Sequence, residues 1–185
     1  VLRSGIEQLD KNATDQVNLI HLKNRLGQIW AIRGELDDAV SLHTQTLAAA
    51  KKIDNEELIG SCLFQLGTDF FHQNKIDSAV ATAQEAIALL EGTGNIYLTG
   101  CAYNLMGTIH LRIRNLFEAQ SNFEKCIQLF RAWDKDMVEL ARVIRNLGIT
   151  FDQLGERTSA RRQFNEAVRS EERRVGKECR SRWSP

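Results

Sequence analysis

Leu26-Gly27-Gln28-Ile29-Trp30-Ala31-Ile32-Arg33-Gly34-Glu35-Leu36-Asp37-Asp38-Ala39 is the stretch that decides the fold. Its frame returns three times. Gly27, Gly67, Gly107 and Gly148 follow Leu26, Leu66, Met106 and Leu147, at spacings of 40, 40 and 41 residues. Twelve residues after each glycine stands an alanine: Ala39, Ala79, Ala119 and Ala160. Three residues after it stand Trp30, Phe70, His110 and Phe151. A fixed period of this size means stacked supersecondary units, because one unit cannot bury its apolar face alone.

Leu26, Gly27 and Trp30 share one side of a 3.6-residue helix. A glycine inside a helix costs about 0.5–1 kcal/mol relative to alanine. Its fourfold recurrence implies a compensating close approach by a second helix, on which the alanine is expected to be the matching small residue. Gly34, Asn74 and Gly155 fall between the two, where a tight turn favours residues that tolerate left-handed backbone. Arg114 takes this place in the third unit, so that turn is expected to differ or to carry strain. The reading is all-α, an alpha-alpha superhelix of stacked antiparallel helix pairs. First helices are expected over 16–33, 55–73, 96–113 and 137–153, and second helices over 36–52, 76–91, 116–132 and 157–168. Asp54-Asn55, Gly92-Thr93-Gly94-Asn95 and Asp134-Lys135-Asp136 supply the joints between units.

The Leu-Gly, aromatic, Gly, Ala order resembles the tetratricopeptide repeat (TPR) over residues 16–168. The units are longer than the usual ~34 residues, a length similar to that of the repeat arms of MalT-like bacterial regulators, signal-transduction ATPases and kinesin light chains. Four units are expected, at about 16–54, 55–94, 95–135 and 136–168. The proline that often ends the second helix is absent; Lys51, Glu91 and Arg131 stand there. The resemblance implies a protein-interaction scaffold whose inner wall comes mainly from the first helices. Wall positions lie three before, one after and four after each glycine. They are Asn24, Gln28 and Ala31; Phe64, Thr68 and Phe71; Asn104, Thr108 and Leu111; Arg145, Ile149 and Asp152. Their amides, aromatics and one guanidinium suit a peptide or partner domain. The paired Lys and Asn that clamp chaperone tails in related repeats are absent from every unit. The runner-up reading is a domain that senses a small ligand or signal peptide and controls an attached effector.

The two ends depart from the pattern. Leu2, Ile6 and Leu9 have the spacing of a buried helix face, and residues 1–10 read as the remnant of a preceding repeat helix. Residues 169–185 hold the single proline and resemble, residue by residue, the one-frame translation of a short-read sequencing adapter. They are therefore read as a non-native tail. The tail carries 6 of the 24 basic and 3 of the 24 acidic side chains, which leaves 18 and 21 and a net charge of −3 on residues 1–168. That balance argues against a phosphate-binding, nucleic-acid-directed role.

No run of apolar residues is long enough to span a membrane, and no secretion signal stands at the front. Cys62, Cys101 and Cys126 form no CxxC pair and have no His at ligand spacing, so neither a zinc site nor a disulfide framework is expected. Lone thiols fit a reducing, cytoplasmic setting. His110, in the aromatic register position, is expected to be packed in the core; His21, His43 and His72 are expected at the surface or groove. With no phosphate loop, nucleophile elbow or carboxylate pair, no catalytic residue, cofactor or metal is expected. The partner is expected to be a protein or peptide, with self-association possible through uncapped ends.

Overall fold

A computed structural model describes the backbone of residues 13–133 and 138–183, and side chains over 16–133 and 138–172. Among these residues there are eight α-helices and no strand: α1 (Ala13–Ile32), α2 (Leu36–Ile53), α3 (Glu56–His72), α4 (Ile76–Thr93), α5 (Ile96–Arg112), α6 (Leu116–Ala132), α7 (Val138–Gln153) and α8 (Arg157–Trp183). The expected helix starts and ends are met within a few residues except at the last. There α8 runs on to Trp183 rather than stopping near 168. Its continuation is rich in Arg and Glu, good helix formers, and no residue before Pro185 interrupts them strongly. Residues 1–10 and the joint at 134–136 lie outside the described residues.

Contacts divide the chain into two compact units, Val1–Leu98 and Thr99–Pro185. In the first unit α1 packs on α2, α3 on α2 and α4 on α3. In the second, α7 packs on α6 and α8 on α7. The core is a run of small and apolar side chains. The register alanines Ala39, Ala79 and Ala119 are fully buried, as are Ala83, Ala86 and Leu90 in the first unit and Phe123, Cys126 and Ile109 in the second.

All four intra-unit turns close in the same way. Gly34, Asn74, Arg114 and Gly155 adopt φ of 86°, 59°, 62° and 82°. Their N–H groups donate to the carbonyls of Ala31, Phe71, Leu111 and Asp152, and the next N–H reaches back to Trp30, Phe70, His110 and Phe151. This paired return is the Schellman motif, which satisfies carbonyls that a helix end would otherwise orphan. The third turn therefore does not differ. Arg114 is held left-handed, a geometry that costs an L-residue about 1–2 kcal/mol. Replacing Arg114 by Gly relieves that strain at the expense of unfolded-chain entropy. The expected result is a gain of about 0.5–1 kcal/mol in urea unfolding; a loss of stability would remove the strain argument.

The joints entering α3 and α5 are capped alike. Asn55 accepts from the Leu58 N–H at 3.0 Å, and Asn95 accepts from the Leu98 N–H at 3.0 Å. Asp54 and Gly94 end the preceding helices in left-handed geometry. Polar Asp-Asn and Gly-Asn pairs thus stop one helix and start the next.

Candidate functional site

Three of the four repeat glycines, Gly27, Gly107 and Gly148, are explained by side chains sixteen residues later, not by the alanine twelve residues later. A Cβ on Gly27 would fall on the His43 ring. One on Gly107 would lie 2.7 Å from Phe123, and one on Gly148 2.7 Å from Phe164. In these three repeats the glycine receives a ring from the second helix of its own repeat; in the second repeat the matching position after Gly67 holds the buried Ala83. A second small–large register runs beside it and was not legible from the first. A Cβ on Gly60 would lie 2.6 Å from Leu90, and one on Gly100 would fall on the Phe130 ring. At the same register in the first repeat the sizes reverse: Ile20 and Ala50 are both buried. The 40-residue separation of Gly60 and Gly100 is the sequence signal that marks it.

His43 is a correction to the surface placement. It is fully buried. Its Nδ1 lies 2.5 Å from Asp69 Oδ2, and its Nε2 lies 3.1 Å from the Asn24 carbonyl oxygen. Three helices of the first unit, α1, α2 and α3, meet on this one ring. Its place in the register, sixteen residues after Gly27 as Phe123 is after Gly107, was the available signal.

With the first helices held in this way, their outward strips are defined. On α3, Phe64, Thr68 and Phe71 are half-buried and spaced four and three apart, so they share one face. Thr68 Oγ1 donates to the Phe64 carbonyl at 2.9 Å. Phe71 meets the His72 ring edge-on at a centroid distance of 5.8 Å. On α1, Gln28 and Ala31 are half-buried at the equivalent positions. Asn24 is not part of an open wall. It is 5 % exposed, and its Nδ2 donates to Cys62 Sγ at 3.4 Å.

In the second unit Asn104, Thr108 and Leu111 of α5 are half-buried, and Thr108 donates to the Asn104 carbonyl at 2.8 Å. The Asn104 Oδ1 is buried without a hydrogen-bond partner. On α7, Arg145 and Asp152 are exposed and Ile149 is half-buried.

Other register positions resolve as follows. Phe151 is buried, while Trp30, Phe70 and His110 are half-buried. His110 is therefore less enclosed than expected. Burial nonetheless lowers its pKa, with Glu118 opposing the shift. Its Nδ1 has no hydrogen-bond partner, so a second ring proton would leave a donor unmet. Burial pushes the Cys62 and Cys126 thiols up, which makes both poor nucleophiles. Among the described residues no group of three or more His, Cys, Asp and Glu side chains could hold a metal ion, and no helix is long and apolar enough to cross a membrane.

Helix pairs closed by Schellman turns and joined ring-on-glycine define a helical-repeat scaffold of the protein-interaction class. The tetratricopeptide repeat family profile matches residues 18–92 and 98–172, and the chain belongs to that family. No curated protein sequence matches it. Among solved structures it is similar to BtubC (BKLC) from P. vanneervenii, at 17 % identity and TM-score 0.80, covering 95 % of this chain and 72 % of that one. It is also similar to a Rap protein complexed with Competence and Sporulation Factor, at 13 % identity and TM-score 0.81. That match covers 91 % of this chain but 46 % of the Rap chain. MamA matches at 20 % identity and TM-score 0.64 over 95 % of this chain and 91 % of its own. At these identities the likeness is one of fold.

Proposed function

We propose that this chain binds a peptide or a partner domain on the outward strips of its first helices, as part of a regulatory or signalling assembly. The observation that carries this is the α3 strip. Phe64 and Phe71 stay half-exposed on one face while Leu63, Leu66 and Cys62 on the other face are buried. Two half-exposed rings on one helix face form an apolar track, and such tracks seat the alternate side chains of a bound segment. Aromatic anchors of this kind contribute most of the energy of an interface. A structure of similar fold, the Rap protein, is complexed with Competence and Sporulation Factor, which supports peptide-sized ligands as the first class to test. In the second unit the exposed Arg145 adds polar selectivity, a cation for a carboxylate.

The test is selection of a random-peptide display library on the 185-residue chain, followed by titration of the selected peptides. Phe71→Ala is expected to weaken binding by about 2 kcal/mol while the far-ultraviolet circular dichroism stays unchanged. Recovery of no binding peptide, or equal affinity for the parent and the Phe71→Ala chain, would remove this assignment.

A further inference from the structure

A cavity of about 370 Å³ in the second unit is lined by the second helices α6 and α8 and by α7. Its floor is apolar: Ile127 of α6 with Leu147 and Phe151 of α7, all buried. One polar side chain is set among them. Gln163 of α8 lines the cavity and is only 7 % exposed, and its carboxamide makes no hydrogen bond to any described residue. One repeat earlier the same register position holds Asn122, fifteen residues after Gly107 as Gln163 is after Gly148. The Asn122 amide donates to the Glu118 carbonyl at 2.7 Å and is satisfied by its own helix. Gln163 instead turns an unmet donor and an unmet acceptor toward the cavity. A buried polar group left unpaired costs about 1–3 kcal/mol, which a polar ligand in the cavity would recover.

The two walls each carry one uncompensated charge, of opposite sign. On α6 the Glu124 carboxylate accepts from Gln120 Nε2 at 2.9 Å, a neutral donor that leaves its charge in place. On α8 Arg162 makes no ion pair among the described residues. The remaining cation at the cavity, Arg131, is taken by Glu166 at 2.5 Å, a pair that ties α6 to α8. We infer that this cavity binds a free α-amino acid with an apolar side chain. Its carboxylate pairs with Arg162 and its ammonium with Glu124. Gln163 donates to the carboxylate and accepts from the ammonium, which meets both halves of its amide. The apolar side chain covers Ile127, Leu147 and Phe151. At this volume, near the lower end of small-molecule sites, a single amino acid fits better than a peptide. Every residue named precedes position 169, and none belongs to the outward strips of the first helices, so the site is separate from the one proposed above.

Isothermal titration calorimetry of the 185-residue chain tests it, with L-leucine, leucinamide and 4-methylpentanoate as probes. L-Leucine is expected to saturate a single site. Leucinamide lacks the carboxylate and 4-methylpentanoate lacks the ammonium, and each is expected to bind at least about tenfold more weakly. Arg162→Gln is expected to lose the preference for leucine over leucinamide, and Glu124→Gln the preference for leucine over 4-methylpentanoate, both with unchanged helicity. These are losses of a particular charge preference, which a merely structural role would not produce. Phe71→Ala is expected to bind leucine as the parent does. No saturable heat with leucine up to millimolar concentration would overturn the inference. So would equal affinity for the three probes, or charge preferences that survive in the two variants.

Discussion

Replacing either His43 or Asp69 by alanine is expected to destabilise the first unit by about 3–5 kcal/mol, and replacing both by the residues of the second unit is expected to restore it. The argument starts from protons. The Asn24 carbonyl only accepts, so His43 Nε2 must carry the hydrogen that it donates across 3.1 Å. The other ring nitrogen, Nδ1, is hydrogen-bonded with the Asp69 carboxylate across 2.5 Å. Both side chains are essentially sealed from water, at 0 % and 2 % exposure. Removing Asp69 leaves a ring nitrogen unmet in the core. Removing His43 leaves a buried carboxylate without its partner and a void over Gly27.

The second unit solves the same joint without charge. At the matching register positions it holds Phe123 and Thr150, both fully buried, and the threonine hydroxyl donates to the Asn146 carbonyl at 2.9 Å. His43→Phe/Asp69→Thr is therefore expected within about 1 kcal/mol of the parent, or above it, because an uncharged pair whose hydroxyl is satisfied within its own helix avoids desolvating a buried carboxylate. Urea unfolding of the parent, both single variants and the double variant provides the cycle. If the double variant loses as much as the two singles together, the two joints are not equivalent.

Gly100→Ile is expected to cost about 3 kcal/mol or more, the upper end of overpacking. A Cβ there would fall on the ring of Phe130, which is 1 % exposed and has no room to withdraw. Phe130→Ala alone is expected to cost about 3–5 kcal/mol through the cavity it leaves. Together, however, the two changes reproduce the arrangement at Ile20 and Ala50, where the large residue sits on the first helix and the small one on the second. Gly100→Ile/Phe130→Ala is thus expected to recover most of the summed loss in a thermal melt. A double variant no better than the sum would show that the exchange of sizes does not set the packing.

The repeat architecture was legible because its causes are local. The left-handed turn residue, the Asn that opens α3 and α5 and the helix-period leucines each act within a few residues. Hence the register placed the helices nearly as observed, and even predicted strain at Arg114 without knowing that the turn would stay the same. The tail differed. The sequence reading set residues 169–185 apart, yet their Arg- and Glu-rich run continues α8, since such residues are good helix formers.

The outward strip was legible in part. Phe64, Thr68 and Phe71 share a face by spacing alone. Asn24 holds the same register position as Phe64 but is turned onto Cys62, a choice made by a thiol 38 residues away. Likewise the register marks His43 as the side chain that faces Gly27, but only Asp69 from the next repeat shows how its buried ring is satisfied.

By itself the sequence determined the period, the turns and the helix faces, because those depend on backbone geometry and on neighbours three or four residues apart. Only the tertiary structure decided which side chain packs on a glycine, how the buried His43 ring is hydrogen-bonded, and which surfaces stay open. Those depend on volumes and hydrogen bonds between residues sixteen to forty positions apart, where several side chains of different size satisfy the same spacing.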